Sequence, residues 1–230
     1  MPCIVHIETA TDVCSVALSQ DGKVLTSEEN YDGPNHNVVL GPLVNEVVSF
    51  ANSHAIPIDA VAVSSGPGSY TGLRIGVSTA KGLCYGRNLK LISISTLELL
   101  CVPILLYHEE IPDDALLCPM IDARRMEVYA GIYDRALRPV RTVAADIVTP
   151  ETYAEYLEQH PVVFIGNGAA KCKDTIRHPN AIFIEGIHPL AKNMLPLAEK
   201  ALAADKTEDV AYFEPFYLKD FVATKPKKLF

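Results

Sequence analysis

The segment Ser64–Gly82, SSGPGSYTGLRIGVSTAKG, holds five glycines in nineteen residues, at the point where the apolar run IDAVAVSSG gives way to a helical pattern. Glycine at this density weakens helix and strand alike. It marks a place where the backbone must turn tightly or pass close to something else. A dinucleotide fingerprint needs G-x-G-x-x-G, but Gly66, Gly68 and Gly72 are one residue too far apart. A P-loop needs Gly-Lys followed by Ser or Thr, whereas Leu73 follows Gly72 and Lys81 comes nine residues later. Neither phosphate motif fits.

The helix that follows has two faces to bury. Gly72, Gly76 and Thr79 fall at helical spacing, with Gly86 returning to that face, while Leu73, Val77, Ala80 and Cys84 form a separate apolar stripe. Interior glycines at 76 and 82 together cost a helix about 2 kcal/mol against alanine, which close backbone contact can offset, either within the chain or with a partner. The preceding helix, NHNVVLGPLVNEVVSF from about residue 35 to residue 50, has Pro42 as a kink or a first-turn residue and Glu46 as its only charge. Its residues Val39, Leu40, Leu43, Val44, Val47, Val48, Phe50 and Ala51 cover about half the circumference, wider than the roughly 100° stripe of a surface helix. Two neighbouring helices with this much apolar surface predict a partner interface.

The other elements read as an α/β chain. Ile4 to Thr9 is a short strand, and CSVALSQDGKVLTSEE is a hairpin turning at Asp21-Gly22. LKLISIS is a strand, and Ser95 or Thr96 caps a helix ending near Tyr107. After the charged break HEEIPDDA a second set begins. LLCPMIDARRMEVYAGIYD reads as two strands around an Asp-Ala-Arg-Arg turn, TPETYAEYLEQH as a capped helix, VVFIGNGAAK as a strand and glycine turn, AIFIEG as a strand, and PLAKNMLPLAEKALAAD as one long helix. The expected domains are residues 1–107, carrying the partner-binding helices, and 108–230, with the last helix free to pack back on the first lobe.

Composition excludes several classes. A net charge of -8 opposes unaided binding to nucleic acid phosphates; only the tail LKDFVATKPKK is locally basic, and it reads as a solvated terminus. The six cysteines form no C-x-x-C pair and the seven histidines no i, i+4 pair, so no metal is expected and the thiols read as buried and free. The opening MPCIVHIETA carries no basic leader. LLCVPILLY, broken by Pro103, is too short to span a bilayer, so a cytoplasmic protein is expected.

In order and over nearly the whole chain, IETATDVCSVAL, Asn35-His36, SSGPGSYTGLRIGVSTAKGL, ISTLELL, IDARRMEVYAGIYD, GNGA and EPFYLKD resemble the TsaB (YeaZ) family, a relative of the TsaD proteins. The resemblance implies an actin-like, ribonuclease H-like fold of two similar lobes with mixed sheets. It also implies a role in placing threonylcarbamoyladenosine beside the anticodon of tRNAs that read A-starting codons. In that pathway TsaD transfers the group and carries the metal, TsaE supplies an ATPase, and TsaB is a non-catalytic scaffold that dimerises with TsaD and meets tRNA only through the complex.

On this reading the interface comprises His36, Val39, Leu43, Val47, Phe50, Tyr70, Thr71, Gly72, Gly76 and Thr79. The free chain is a homodimer or a monomer, no cofactor is its own, and any ATP or ADP is expected at the level of the complex. Glu8, Thr9 and Thr11 stand where the related kinases keep a phosphate loop. The family's usual Asp is Glu8 here, read as a cap on the hairpin turn around a vestigial site, and His36 lacks a second ligand at Leu40. Asp122, Arg124 and Arg125 read as a surface ion pair shaping a turn, and GNGA as a strand-to-helix turn or a shrunken adenosine loop. The competing class is an independent actin-fold enzyme, a kinase or a glycoprotease-like peptidase, for which neither phosphate loops nor paired metal ligands are complete.

Overall fold

The computed structural model describes residues 2–33 and 35–219, so most of the basic tail lies outside the described residues. Strand β1 (Cys3–Glu8) pairs antiparallel with β2 (Cys14–Gln20), which pairs antiparallel with β3 (Lys23–Asn30). The β2–β3 turn places Asp21 at φ 57° and Gly22 at φ 72°, the left-handed pair that a two-residue hairpin of this twist requires. Helix α1 (His36–Ser53) returns the chain to β4 (Ala60–Gly66), parallel to β1. Helix α2 (Tyr70–Arg87) leads to β5 (Lys90–Ser95), parallel to β4, and helix α3 (Thr96–Tyr107) leaves the sheet. Ser95 caps α3, its side chain accepting the Glu98 N–H. Pro42 lies past the first turn of α1, which runs on through it on the exposed side.

The second half repeats the plan. Strands β6 (Leu116–Asp122), β7 (Glu127–Tyr133) and β8 (Pro139–Ile147) form an antiparallel meander, and β9 (Val162–Ile165) and β10 (Ala181–Ile184) add in parallel beside β6. The two sheets, β3-β2-β1-β4-β5 and β10-β9-β6-β7-β8, are therefore the same strand order read from opposite ends. A duplicated meander with two parallel additions is the α/β, actin-like two-lobed fold.

The second lobe's helices are reduced. The expected capped helix is the single turn α4 (Ala154–Leu157), and the expected long last helix splits into a 3-10 turn, Ala191–Met194, and α5 (Leu195–Ala203). Proline within the first two positions of α5 explains where the new helix starts. Strand β8 has no counterpart in the sequence reading.

Helices α1 and α2 cover one face of the first sheet, where Leu40, Val44, Val47, Ala51, Val77 and Ala80 meet Val5, Val16 and Val63. The other face receives Leu99 of α3 with Met194 and Ala198. Leu97, Leu100, Cys101 and Ile104 of α3 pack on the second sheet at Leu117, Val163 and Ile165. A helix wedged between two sheets must be apolar on both covered faces, and α3 is, with the half-buried Glu98 its one charge. All six cysteines are buried and unpaired; burial pushes the Cys84 thiol up to about 11. No described helix is long and apolar enough to cross a membrane.

The glycine pattern of α2 is answered inside the chain. A methyl group at Gly68 would stand 2.5 Å from the Ala10 carbonyl oxygen, one at Gly72 would overlap the Thr9 carbonyl oxygen, and one at Gly76 would overlap Thr9 Oγ1. The α2 N-terminus thus lies directly on the β1–β2 turn, and Thr9 Oγ1 donates a 2.8 Å hydrogen bond to the Gly72 carbonyl. Gly82, by contrast, has nothing within 4 Å of where its Cβ would be. Gly72→Ala should therefore destabilise the chain by about 1–3 kcal/mol through overpacking against backbone. That lowers the melting temperature by roughly 3–10 °C. Gly82→Ala should stabilise it by about 0.5–1 kcal/mol, since an open helical glycine only loses entropy. Thermal melts showing the same sign for both would contradict this placement.

Candidate functional site

Two surfaces compete for function: a cleft between the lobes and the outer faces of α1 and α2. The cleft, about 580 Å³, is bounded by Ala10, Thr11 and Asp12, by Ser69, Tyr70 and Thr71 at the start of α2, by Asp122, Arg124 and Glu127 of the β6–β7 hairpin, and by Asn167. Its floor is the β1–β2 turn. Glu8 is fully buried there, one carboxylate oxygen accepting the Ala10 N–H at 2.5 Å. Burial outweighs the opposing hydrogen bonds from Ala10, Ser64 and Thr9 and pushes the carboxyl up to about 8. Thr9 and Thr11 are buried as well. The turn is a structural knot tied to α2 by Thr9 and to α1 by His36, whose Nε2 donates to the Thr11 carbonyl at 2.7 Å.

The chain's own C-terminal segment closes one side of the cleft. Glu208 N–H donates to the Leu91 carbonyl at 2.8 Å, and Ser93 Oγ donates to its carboxylate at 2.6 Å. Lys81 donates to the carbonyls of Ala211 and Phe213. Phe216 N–H donates to the Ser65 carbonyl at 2.7 Å, Tyr217 packs on Tyr70 with ring centroids 4.8 Å apart, and Lys219 pairs with Glu127 of the other lobe. Residues 216–219 line the cleft as a result. The EPFYLKD motif was visible in the sequence, but its place against the cleft was not, because the strap's partners lie 92 to 151 residues away from it.

The residues expected at a partner interface separate into three groups. Val47 is fully buried, His36 is 4% exposed, and Gly72 and Gly76 lie under Thr9. All four belong to the interior of this chain, and the partner contact expected of them is corrected. Their periodicity reported burial without saying against what. Tyr70 and Thr71 line the cleft instead of the outer helical face. Val39, Leu43, Phe50 and Thr79 are half-buried on α1 and α2, with Phe50 stacked on His54 at 4.2 Å. The most exposed apolar side chains of these helices were not singled out by periodicity: Val38 is 67% exposed and Tyr85 87%. Both stand on the side of their helix opposite the apolar arc, where periodicity predicts solvent and gives no signal for an apolar residue.

The Asp122 ion pair is made with Lys171 rather than with either arginine. Gly166 and Gly168 of GNGA press on the β6 backbone, the Gly168 N–H donating to the Met120 carbonyl at 3.0 Å and Asn167 accepting the Asp122 N–H at 3.0 Å. That is a strand-to-turn bracket. Among the described residues no three His, Cys, Asp or Glu side chains gather as a metal site would require.

Comparison with known proteins places this architecture. The family model described as TsaD, tRNA N6-adenosine threonylcarbamoyltransferase, matches residues 30–227. The chain is 33% identical over 230 residues to the tRNA threonylcarbamoyladenosine biosynthesis protein TsaB of Escherichia coli, covering 96% of both. The chain belongs to the TsaB (YeaZ) family. It is also 30% identical to the TsaB protein of Bacillus subtilis over 75% of this chain and 74% of that one. A crystal structure from Pseudomonas aeruginosa, of a protein described as similar to the peptidase YeaZ, superposes with a TM-score of 0.79 at 25% identity, over 95% of this chain and 100% of its own.

The buried Glu8 carboxyl makes a pH-dependent contribution. With its folded pKa near 8 against an ordinary 4.5, the folded chain holds a proton that the unfolded chain releases. The stability of the neutral form is complete below about pH 4.5 and is lost as pH rises through about 8. Glu8→Gln keeps an oxygen for the Ala10 N–H and stays neutral. Its melting temperature should gain on the parent between about pH 5 and pH 9, and parallel pH profiles would show that Glu8 is ionised in the fold.

Proposed function

We propose that this chain is the non-catalytic, activating subunit of a tRNA threonylcarbamoyladenosine-forming complex, and that it acts by pairing the outer face of α1 and α2 with a TsaD-type transferase. The observation that carries this reading is the exposed apolar surface on two adjacent helices, headed by Val38 and Tyr85, with open space over Gly82 and Gly86. Exposed apolar surface of this kind marks association, and open glycines let a partner backbone approach closely. The state of the cleft supports the absence of catalysis in this chain. The turn that would handle phosphate is used for packing, and the strap takes one wall.

The names of the curated relatives supply the pathway, threonylcarbamoyladenosine biosynthesis, and a TsaE-type ATPase joins the same assembly. ATP or ADP then belongs to the complex, tRNA is met through it, and the chain works in the cytoplasm. The same helical face pairs two copies when the transferase is missing.

An independent actin-fold enzyme is the second reading, favoured by the persistence of a 580 Å³ cleft that keeps Asp12 and Arg124 at its rim. Steady ATP turnover by the purified chain alone would select it. For the association reading, Val38→Glu changes a residue already two-thirds exposed, so folding and circular dichroism should stay as in the parent. In a complex it would bury an unpaired carboxylate. Affinity for the TsaD-type partner should fall at least tenfold by calorimetry, about 1.4 kcal/mol or more, and unchanged affinity would exclude this face as the interface.

A further inference from the structure

The β6–β7 hairpin ends in a turn that its sequence makes difficult. Arg124 at φ 71° and Arg125 at φ 51° are consecutive non-glycine residues in the left-handed region, where a two-residue tip ordinarily takes Asn-Gly or Gly-Gly. The surroundings fix this conformation. Arg124 N–H donates to Asp122 Oδ1 at 2.8 Å, Ala123 N–H to the Glu127 carbonyl at 3.1 Å, and Glu127 N–H to the Arg124 carbonyl at 3.1 Å. Lys171 braces the base, pairing with Asp122 and donating to the Glu127 carbonyl at 2.7 Å.

The same bracing sorts the charges. Asp122 is taken by Lys171 and Glu127 by Lys219, so neither carboxylate is left for the arginines. Both guanidinium groups are exposed, and no hydrogen bond, ion pair or ring contact engages them among the described residues. Asp12, across the cleft rim, is a nearby carboxylate that no ion pair neutralises among the described residues. Two uncompensated arginines on a rigid, strained tip in a chain of net charge -8 are a local exception to the field of the whole molecule. Strain held at a braced position points from structure to function.

The guanidinium fork matches phosphate in two-point fashion. A nucleotide enclosed in the cleft is disfavoured, because residues 216–219 of the strap already wall it. A ligand that crosses the rim without entering suits a chain of phosphates better than a single small molecule.

We propose that Arg124 and Arg125 form a phosphate-gripping edge at the mouth of the inter-lobe cleft, which holds the backbone of RNA presented by the assembled complex. The identity of that RNA as tRNA rests on the function proposed above; the edge itself does not.

Two experiments separate the two claims. The chain alone, at low salt, is titrated with a short single-stranded RNA and followed by backbone amide NMR. Shifts should concentrate on residues 122–127, and shifts elsewhere, or the same shifts with ATP but none with RNA, would overturn the assignment. In the complex with the TsaD-type partner, Arg124→Glu/Arg125→Glu should leave assembly unchanged, weaken tRNA binding roughly tenfold, and reduce the slope of log affinity against log salt by about one to two. Arg124→Lys/Arg125→Lys should retain most of the affinity.

The decisive variant is Arg124→Asn/Arg125→Gly, which suits the left-handed turn and removes both charges. It should raise the melting temperature while losing tRNA affinity. A variant that melts higher and binds tRNA as the parent does would leave the arginines without this role. Failure of the parent chain to assemble with its partner would refute the proposed function, while the NMR titration would still decide the edge.

Discussion

The first lobe is organised around four residues, Thr9 to Asp12, between β1 and β2. Three elements meet there through hydrogen bonds: α2 through Thr9 Oγ1 to the Gly72 carbonyl at 2.8 Å, the loop before α2 through Ser69 N–H to the Ala10 carbonyl at 2.7 Å, and α1 through His36 to the Thr11 carbonyl. Each such bond contributes about 1 kcal/mol net. The geometry demands more than the energy does. A helix can meet a turn this closely only if its facing residues have no side chains, so Gly68, Gly72 and Gly76 are placed by contact with Thr9 and Ala10. The helical cost of Gly72 and Gly76, about 2 kcal/mol against alanine, is offset by that contact and by the burial of Leu73, Val77 and Ala80 on the helix's other stripe.

Between the lobes the corresponding constraint is apolar. Helix α3 offers solvent only the half-buried Glu98 through its first two turns, since Leu99 packs with one sheet and Leu97, Leu100 and Cys101 with the other. The lobes are therefore joined by a shared core segment as well as by chain connectivity. The strap adds polar ties on the far side, from Ser65 and Ser93 in the first lobe to Glu127 in the second.

What the sequence revealed follows from the range over which each signal acts. The Asp21-Gly22 hairpin, the Ser95 cap and the end of α3 at Tyr107 are set within a few residues and were legible. Strand β8 was not, because PVRTVAADI is an edge strand with only Asp146 and neighbouring half-buried residues facing inward, and its apolar alternation is weak. Its Asp146 is held by Arg141 in a two-point ion pair and by Tyr153 Oη at 2.8 Å, partners that no local pattern shows. The glycine face of α2 was assigned to a partner, whereas Gly72 and Gly76 meet Thr9 of the same chain and Gly86 meets nothing within 4 Å; which contact a glycine face makes depends on the fold, and Thr9 is sixty-three residues from Gly72. For the candidate site, the half-buried residues of α1 were legible from periodicity. The strap, the cleft position of Tyr70 and Thr71, and the exposed Val38 and Tyr85 needed the structure.

Two-lobed folds of this kind commonly close around a ligand in the cleft, the ligand supplying the contacts that hold the lobes together. In this chain those contacts are built in. The carboxyl at the cleft floor is buried and pushed up to about 8, so it carries little charge near neutrality with which to bind a metal-phosphate. The β1–β2 turn is packed against α2, and the strap walls one side of the cleft. Contacts already made within a chain reduce the ordering that remains to be done on binding. On the function proposed above, a partner docked on the outer helices leaves the turn beneath them undisturbed, since the residues that tie α1 and α2 to Thr9 and Thr11 lie on the opposite side from Val38 and Tyr85.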